Sequence, residues 1–262
     1  MKTCLLVLGG EIKDYLLFAQ RLAEADLVLA ADSGARHLRC VGVLPQVIYG
    51  DLDSLSQEEI IEFKEKGCRF VTHQAEKDDT DGALVLREAL RRGYMDIRIW
   101  GAMGGRPDHA YANLMLLQLM YQKGYREVYG CRAAYGCAAD VVPGCAADVV
   151  LGCAADVEPG RAAGAAPGSA ICALPNVSIE DGGIRISLAK RRQWIEGKAG
   201  DVLSLFALTP EVTGFKQTGL KYQPEGGLFV SSFPLGVSNV FMQDRVWMDW
   251  DRGLLLCMHI EV

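Results

Sequence analysis

Between residues 3 and 131 the chain alternates short apolar runs with longer amphipathic segments, and few architectures accept that rhythm. Apolar runs at 4–8, 27–30, 47–49, 69–72, 97–100 and 127–131 read as strands. The segments near 12–24, 34–40, 57–66, 81–92 and 108–123 read as helices. The third helix opens on Ser56-Gln57-Glu58-Glu59, a capping-box pattern that satisfies N–H groups a helix start leaves orphaned. In the fifth, Ala110, Leu114, Leu117 and Tyr121 recur at i, i+4, i+7 and i+11 and predict one buried stripe. Regular strand–helix alternation implies an α/β fold, a mostly parallel sheet with flanking helices.

From about residue 176 the texture changes. Strand-like stretches at 177–179, 184–188, 202–207, 214–221, 228–232 and 254–260 are separated by turn-rich segments such as Glu180-Asp181-Gly182-Gly183 and Pro224-Glu225-Gly226-Gly227. Short strands so punctuated predict a smaller antiparallel β-sandwich domain. Between the halves lies a tandem octapeptide: GCAADVVP at 136–143, GCAADVVL at 144–151 and GCAADVEP at 152–159, decaying through 160–175. Small residues with recurrent Gly and Pro bury little and interrupt regular elements. The expected organisation is therefore an α/β domain over 1–131, an expanded mobile loop over 132–175, and a β-sandwich domain over 176–262.

Composition removes several classes of function. A net charge of −6 argues against broad nucleic-acid binding, which needs a basic surface. No stretch approaches the roughly 18 continuous apolar residues of a membrane helix. The N-terminal apolar run is too short for a secretory signal and no small-residue cleavage site follows it, so a cytoplasmic location is expected. Nine cysteines, an odd number, do not make a disulfide framework in such a chain. Cys4, Cys40, Cys68 and Cys257 sit in apolar settings and read as small core residues, while Cys137, Cys145 and Cys153 repeat without a His or close Cys partner and do not read as a zinc site.

The chemistry is expected where strands end. Asp32-Ser33-Gly34 follows the second strand, where a helix N-terminus presents N–H groups to phosphate or ribose; an ordinary N-cap is the alternative. Gly50-Asp51-Leu52-Asp53-Ser54 closes the third strand. Continued strand geometry would put Asp51 and Asp53 on one side, and paired carboxylates repel unless a cation or proton intervenes, which suits Mg²⁺. Lys77, Asp78, Thr80 and Asp81 precede the fourth helix, where a cap and a metal-directed acid can coexist. The run Gly101 to His109 leaves a strand, passes Gly104 and Gly105, and enters a helix through Arg106, Pro107 and Asp108. Glycines let backbone approach phosphate, Pro suits a first helical turn, and Arg106 offers a planar fork for phosphate oxygens. No Walker A sequence is present.

Taken in order, Asp32-Ser33-Gly34, Gly50-Asp51-Leu52-Asp53-Ser54, Lys77-Asp78-x-Thr80-Asp81 and Gly104-Gly105-Arg106-x-Asp108-His109-x-x-x-Asn113 resemble thiamine pyrophosphokinases. Thr218-Gly219-Leu220-Lys221-Tyr222 and Gly236-Val237-Ser238-Asn239 resemble that family's β-domain motifs. The resemblance covers nearly the whole chain outside 132–175. It implies transfer of the terminal two phosphoryl groups of ATP to the thiamine hydroxyl, releasing AMP, by a Mg²⁺-dependent homodimer with active sites in clefts between subunits. Asp51, Asp53 and Asp81 would hold or orient Mg²⁺, and Arg106 would join them at the catalytic centre. Asp32, Ser33, Gly34, Lys77, Asp78, Thr80, Gly105, Arg106, Asp108, His109 and Asn113 would serve the nucleotide. Ser238 and Asn239 would meet the thiamine pyrimidine, with Tyr222 near the thiamine ring. Two other readings stand beside this one: a pyrophosphokinase for another alcohol such as a pterin, and a nucleotide- or thiamine-binding module without catalysis.

Overall fold

The computed structural model describes residues 2–72, 80–119 and 175–262. Its α/β half runs β1 (Thr3–Val7), α1 (Tyr15–Ala23), β2 (Leu27–Ala31), α2 (Gly34–Cys40), β3 (Val47–Gly50), α3 (Gln57–Glu65), β4 (Arg69–Thr72), α4 (Asp81–Arg91), β5 (Asp96–Trp100) and α5 (Pro107–Leu119). The expected strand at 127–131, Tyr121 and the octapeptide repeat lie outside the described residues. Every residue of β1 and β2 is buried, so these strands are continuous apolar runs rather than alternating ones. That is the signature of parallel strands covered on both faces.

The helices divide between the faces as right-handed crossovers require. Phe18 and Leu22 of α1, Ala35 and Leu38 of α2, and Ile60 and Phe63 of α3 pack with Leu5, Val7, Val28, Ala30 and Ile48. Ala83, Leu86 and Leu90 of α4 and Leu116 and Leu117 of α5 pack on the opposite face with Leu6, Leu29 and Tyr49. Helix starts are set by side chains: Asp14 accepts from Leu17 N, Thr80 from Ala83 N, and Ser56 and Glu59 form the expected capping box. The stripe expected on α5 is turned. Leu117 is buried but Ala110 and Leu114 are only half-buried, and the inward positions are Asn113, Leu116 and Leu117.

The C-terminal half comprises β6 (Asn176–Asp181), β7 (Ile184–Leu188), β8 (Gln193–Glu196), β9 (Val202–Ala207), β10 (Glu211–Val212), β11 (Lys216–Thr218), β12 (Phe229–Val230), β13 (Gly236–Val240), β14 (Arg245–Asp249) and β15 (Leu255–Ile260). β6 pairs parallel to β5, and beyond it the pairing turns antiparallel, so one sheet runs β13-β9-β15-β7-β6-β5-β1-β2-β3-β4. A second sheet, β11-β14-β8, covers the antiparallel end. Leu203, Leu205, Leu255 and Cys257 from the first sheet meet Val246 and Met248 from the second, with Phe215, Phe229 and Phe241 between them. The α/β class with its antiparallel C-terminal region is thus as expected, and the sheet is continuous from one half to the other.

One further local expectation needs correction. Cys4, Cys68 and Cys257 are buried, but Cys40 is exposed, because the last residue of α2 turns to solvent. Trp250 is buried with its indole N–H donated to Gly253 O, whereas Trp194 is 50% exposed under the Arg245 guanidinium. No helix among the described residues is long and apolar enough to cross a membrane.

Candidate active site

The chain lays down β1 to β4 in order to one side, then returns through α4 to place β5 on the other side of β1. Connections leave the carboxyl ends of β1 and β5 in opposite directions, and such a switch point opens a crevice where α/β proteins bind ligands. The backbone after β1 and the glycine loop after β5 meet at this switch point. Gly10 N donates to Gly101 O and Glu11 N to Met103 O, each at 2.8 Å. A Cβ on Gly10 would stand 2.4 Å from Gly101 O, and one on Gly101 would stand 2.2 Å from Leu8 O. Only glycine permits that approach. From the α5 side, the buried Asn113 amide donates to Ala102 O at 2.8 Å. From the α2 side, His37 Nε2 meets Gly10 O at 2.7 Å, and burial lowers the His37 pKa.

Beside this crevice, at the ends of β2 and β3, the carboxylates gather. Carboxylate oxygens of Asp32, Asp51 and Asp53 lie within 4.8 Å of one another. The mechanism of their gathering differs from strand alternation. β3 ends at Gly50, and Leu52 takes a left-handed φ of 66°, so a tight turn brings Asp51 and Asp53 together. Asp53 N donates to Asp51 Oδ1 within that turn, at 3.1 Å. Asp32, itself at φ 41°, is buried and accepts from Leu52 N at 3.1 Å. A Cβ on Gly50 would stand 1.9 Å from Asp32 Oδ1, which explains the glycine there.

The electrostatics are unfavourable for three bare anions. Burial, then the Asp81 carboxylate at the start of α4, push Asp32 up to about 7. Asp51 beside it raises Asp53. A cluster of hard oxygen donors in which Asp32 and Asp53 are both raised above the ordinary aspartate range fits a divalent cation such as Mg²⁺, which would relieve the repulsion.

The other expected residues fall into distinct surroundings. Ser33 N donates to Ser54 Oγ at 3.1 Å, so Ser54 closes the α2 start, and a Cβ on Gly34 would stand 2.1 Å from Val7 O. Thr80 caps α4. Lys77 and Asp78 lie outside the described residues. Arg106 and Asp108 form an exposed ion pair at 2.6 Å that lowers the Asp108 pKa, with His109 exposed beside them and Gly105 at φ 65° before them. In the C-terminal half, Asn239 staples Tyr222: its Oδ1 accepts from Tyr222 N at 2.9 Å and its Nδ2 donates to Tyr222 O at 2.7 Å. The Tyr222 ring is 56% exposed, with Lys221 Nζ 5.0 Å from its centroid. Ser238 is exposed at φ 57°, its N–H donated to Ser204 Oγ. Three features escaped the sequence reading: Asp32 as a member of the acid cluster, Ser54 as the acceptor for the Ser33 N–H, and the Gly9–Gly10 backbone with its His37 support. The glycine pair directly after an apolar run was the available signal for the last.

Residues 18–129 match the family model described as thiamin pyrophosphokinase, catalytic domain. The chain is similar to the thiamine pyrophosphokinase of Bacillus subtilis (strain 168), 35% identical over 120 residues, which cover 45% of this chain and 55% of that relative. The chain's match thus spans about half the length of this curated relative. Over the whole chain the fold is similar to the crystal structure of the Bacillus subtilis thiamine pyrophosphokinase (TM-score 0.71, 19% identity, 100% of both chains covered). It is also similar to that of Geobacillus thermodenitrificans (TM-score 0.68, 20% identity, 99% and 98% covered). The enzyme of Candida albicans gives a TM-score of 0.67 at 16% identity, with 99% and 89% covered. At these identities the structural likeness establishes the fold.

Proposed function

We propose that this chain, whose residues 18–129 match the thiamin pyrophosphokinase catalytic-domain model, is a member of that family and transfers a pyrophosphoryl group from ATP to the thiamine hydroxyl, releasing AMP. The observation that carries the reading is the crowding of Asp32, Asp51 and Asp53 at the carboxyl ends of β2 and β3, with Asp81 facing Asp32. In the reaction the primary hydroxyl oxygen of thiamine attacks the β-phosphorus. The bond from β-phosphorus to the bridging oxygen breaks, and that oxygen leaves with AMP. Such a transfer depends on positioning and on neutralising charge. Mg²⁺ held by Asp51, Asp53 and Asp81, with Asp32 as a fourth neighbour, would supply that neutralisation. Arg106 turns from Asp108 toward phosphate oxygens, and the 101–105 backbone receives the polyphosphate. Asp81 is one acceptor for the hydroxyl proton.

Thiamine is a cation, and the exposed Tyr222 ring, which already holds an ammonium over its face, supports a cation–π contact with it. Ser238 and Asn239 meet the pyrimidine in this reading. A cytoplasmic homodimer that completes each site from two subunits accords with the family resemblance. The test is incubation with ATP, Mg²⁺ and thiamine, followed by separation of products. AMP and thiamine diphosphate in equal amounts are expected; ADP as product, or turnover indifferent to thiamine, overturns the reading. Asp51→Asn is expected to cut turnover by about a hundredfold or more, the scale of losing one preorganised charge at a reacting centre, while the melting temperature stays near the parent's.

A further inference from the structure

The wall of the crevice that follows β1 is braced by two side chains outside the motifs of the site. Tyr15 Oη lies 2.6 Å from His37 Nδ1, and His37 Nε2 lies 2.7 Å from Gly10 O. A carbonyl can only accept, so Nε2 carries the proton, and Nδ1 accepts from the Tyr15 hydroxyl. The Gly10 carbonyl belongs to the same peptide plane as Glu11 N–H, which donates to Met103 O at 2.8 Å. That single plane is therefore pinned at both ends, to α2 through His37 and to the glycine loop through Met103. Gly10 N–H in turn donates to Gly101 O. The glycine loop packs closely here too, since a Cβ on Gly104 would stand 2.5 Å from Glu11 Cβ. With Asn113 holding Ala102 O from the opposite face of the sheet, the loop is held from both sides.

We propose that Tyr15 and His37 are positioning residues for nucleotide: they fix the Gly10–Glu11 peptide, and through it the 101–105 loop that receives the polyphosphate. This rests on the nucleotide occupying the crevice as proposed above. Losing the His37 donor strands a carbonyl and frees the plane, and the loop is then sampled in several positions of which one binds. The thiamine contacts lie elsewhere, so the effect falls on nucleotide alone.

His37→Asn, whose amide mimics Nδ1 but is too short for Gly10, is expected to weaken binding of Mg²⁺-α,β-methylene-ATP by roughly fivefold to tenfold, the scale of one partly buried hydrogen bond. KM for ATP should rise equally, with kcat and KM for thiamine near the parent values. His37→Gln, which places a donor where Nε2 stands, should restore affinity, and Tyr15→Phe should show a smaller loss. Unchanged nucleotide affinity in His37→Asn, equal loss in His37→Gln, or a matching rise in KM for thiamine overturns the proposal. Should His37→Asn fail to fold, Tyr15→Phe and His37→Gln decide it by the same readouts. A parent protein that binds the analogue without converting thiamine would sink the proposed function while leaving this inference standing.

Discussion

At the scale of single residues, Asp32 sets the terms on which the metal-free protein is stable. Its carboxyl is buried, faces Asp81, and titrates at about 7 instead of in the ordinary aspartate range. In the unfolded chain the same group loses its proton near pH 4 (about 3.9). Between those values the folded state holds a proton that the unfolded state does not, so stability falls as pH rises through the window and levels off above it. Asp32→Asn keeps an Oδ1 acceptor for Leu52 N and removes the charge. In EDTA it is expected to melt with the parent near pH 4 to 5 and progressively above it toward pH 8, by about 2–4 °C for each kcal/mol recovered. Added Mg²⁺ should narrow the gap by stabilising the parent. A gap that does not change with pH would refute the assignment. His37, whose pKa is lowered, acts with the opposite sign below its ordinary value, but it is common to both proteins and cancels in the comparison. The individual acids were legible from the sequence, because Asp51, Asp53 and Asp81 stand at recognisable strand and helix ends. The membership of Asp32 was not. It depends on positive φ at residues 32 and 52 and on the missing Cβ of Gly50, which are properties of the folded backbone rather than of any local pattern.

At the scale of elements, the helices with side-chain caps were the most readable, because a cap is a local bond between residues three apart. Ser56 and Glu59 make both halves of their box, and Glu59 is further held by Arg36 and Arg39, which pulls its pKa down to about 2. Ser56→Ala removes one half and leaves the arginine contacts. It is expected to cost about 1 kcal/mol, seen as a lower denaturant midpoint with an unchanged slope. No shift in midpoint would mean that α3 is held by Ile60 and Phe63 packing and by the arginines without help from its cap. β8 and β14 escaped because they are short and face two ways. Val246 and Met248 point into the core while Arg245, Trp247 and Asp249 point out, and a five-residue alternation with so many charges reads as surface. The turning of α5 has a similar origin. Asn113 faces inward to reach Ala102 O, and a polar residue at a buried position shifts the stripe that apolar spacing alone predicts.

At the scale of the whole molecule, the continuous sheet decides how far the two halves are independent. β5 lies between β1 and β6, with Ile97 and Ile99 buried and paired to Val177 and Ile179. Asn176 adds two further ties, its N–H to Met95 O and its Nδ2 to Asp96 Oδ1. One core holds residues from both halves, joining Leu86 and Leu117 to Val177, Ile186 and Leu256. The 1–131 and 176–262 division that the sequence suggests would bare β5 as a flat apolar edge, which invites aggregation. Thermal unfolding of the full chain is accordingly expected as one transition by far- and near-ultraviolet circular dichroism. α5 and β6 are joined through residues 120–174, which carry the octapeptide repeat. Lengthening such a link costs little, since closure entropy grows only with the logarithm of its length. Removing residues 136–167, which hold the octapeptide repeat, is therefore expected to leave the melting temperature and the proposed thiamine diphosphate formation close to those of the parent. A folded deletion variant with turnover abolished would instead make the repeat part of the active molecule. A deletion variant that unfolds in two separated steps would show that the sheet does not bind the halves into one cooperative unit.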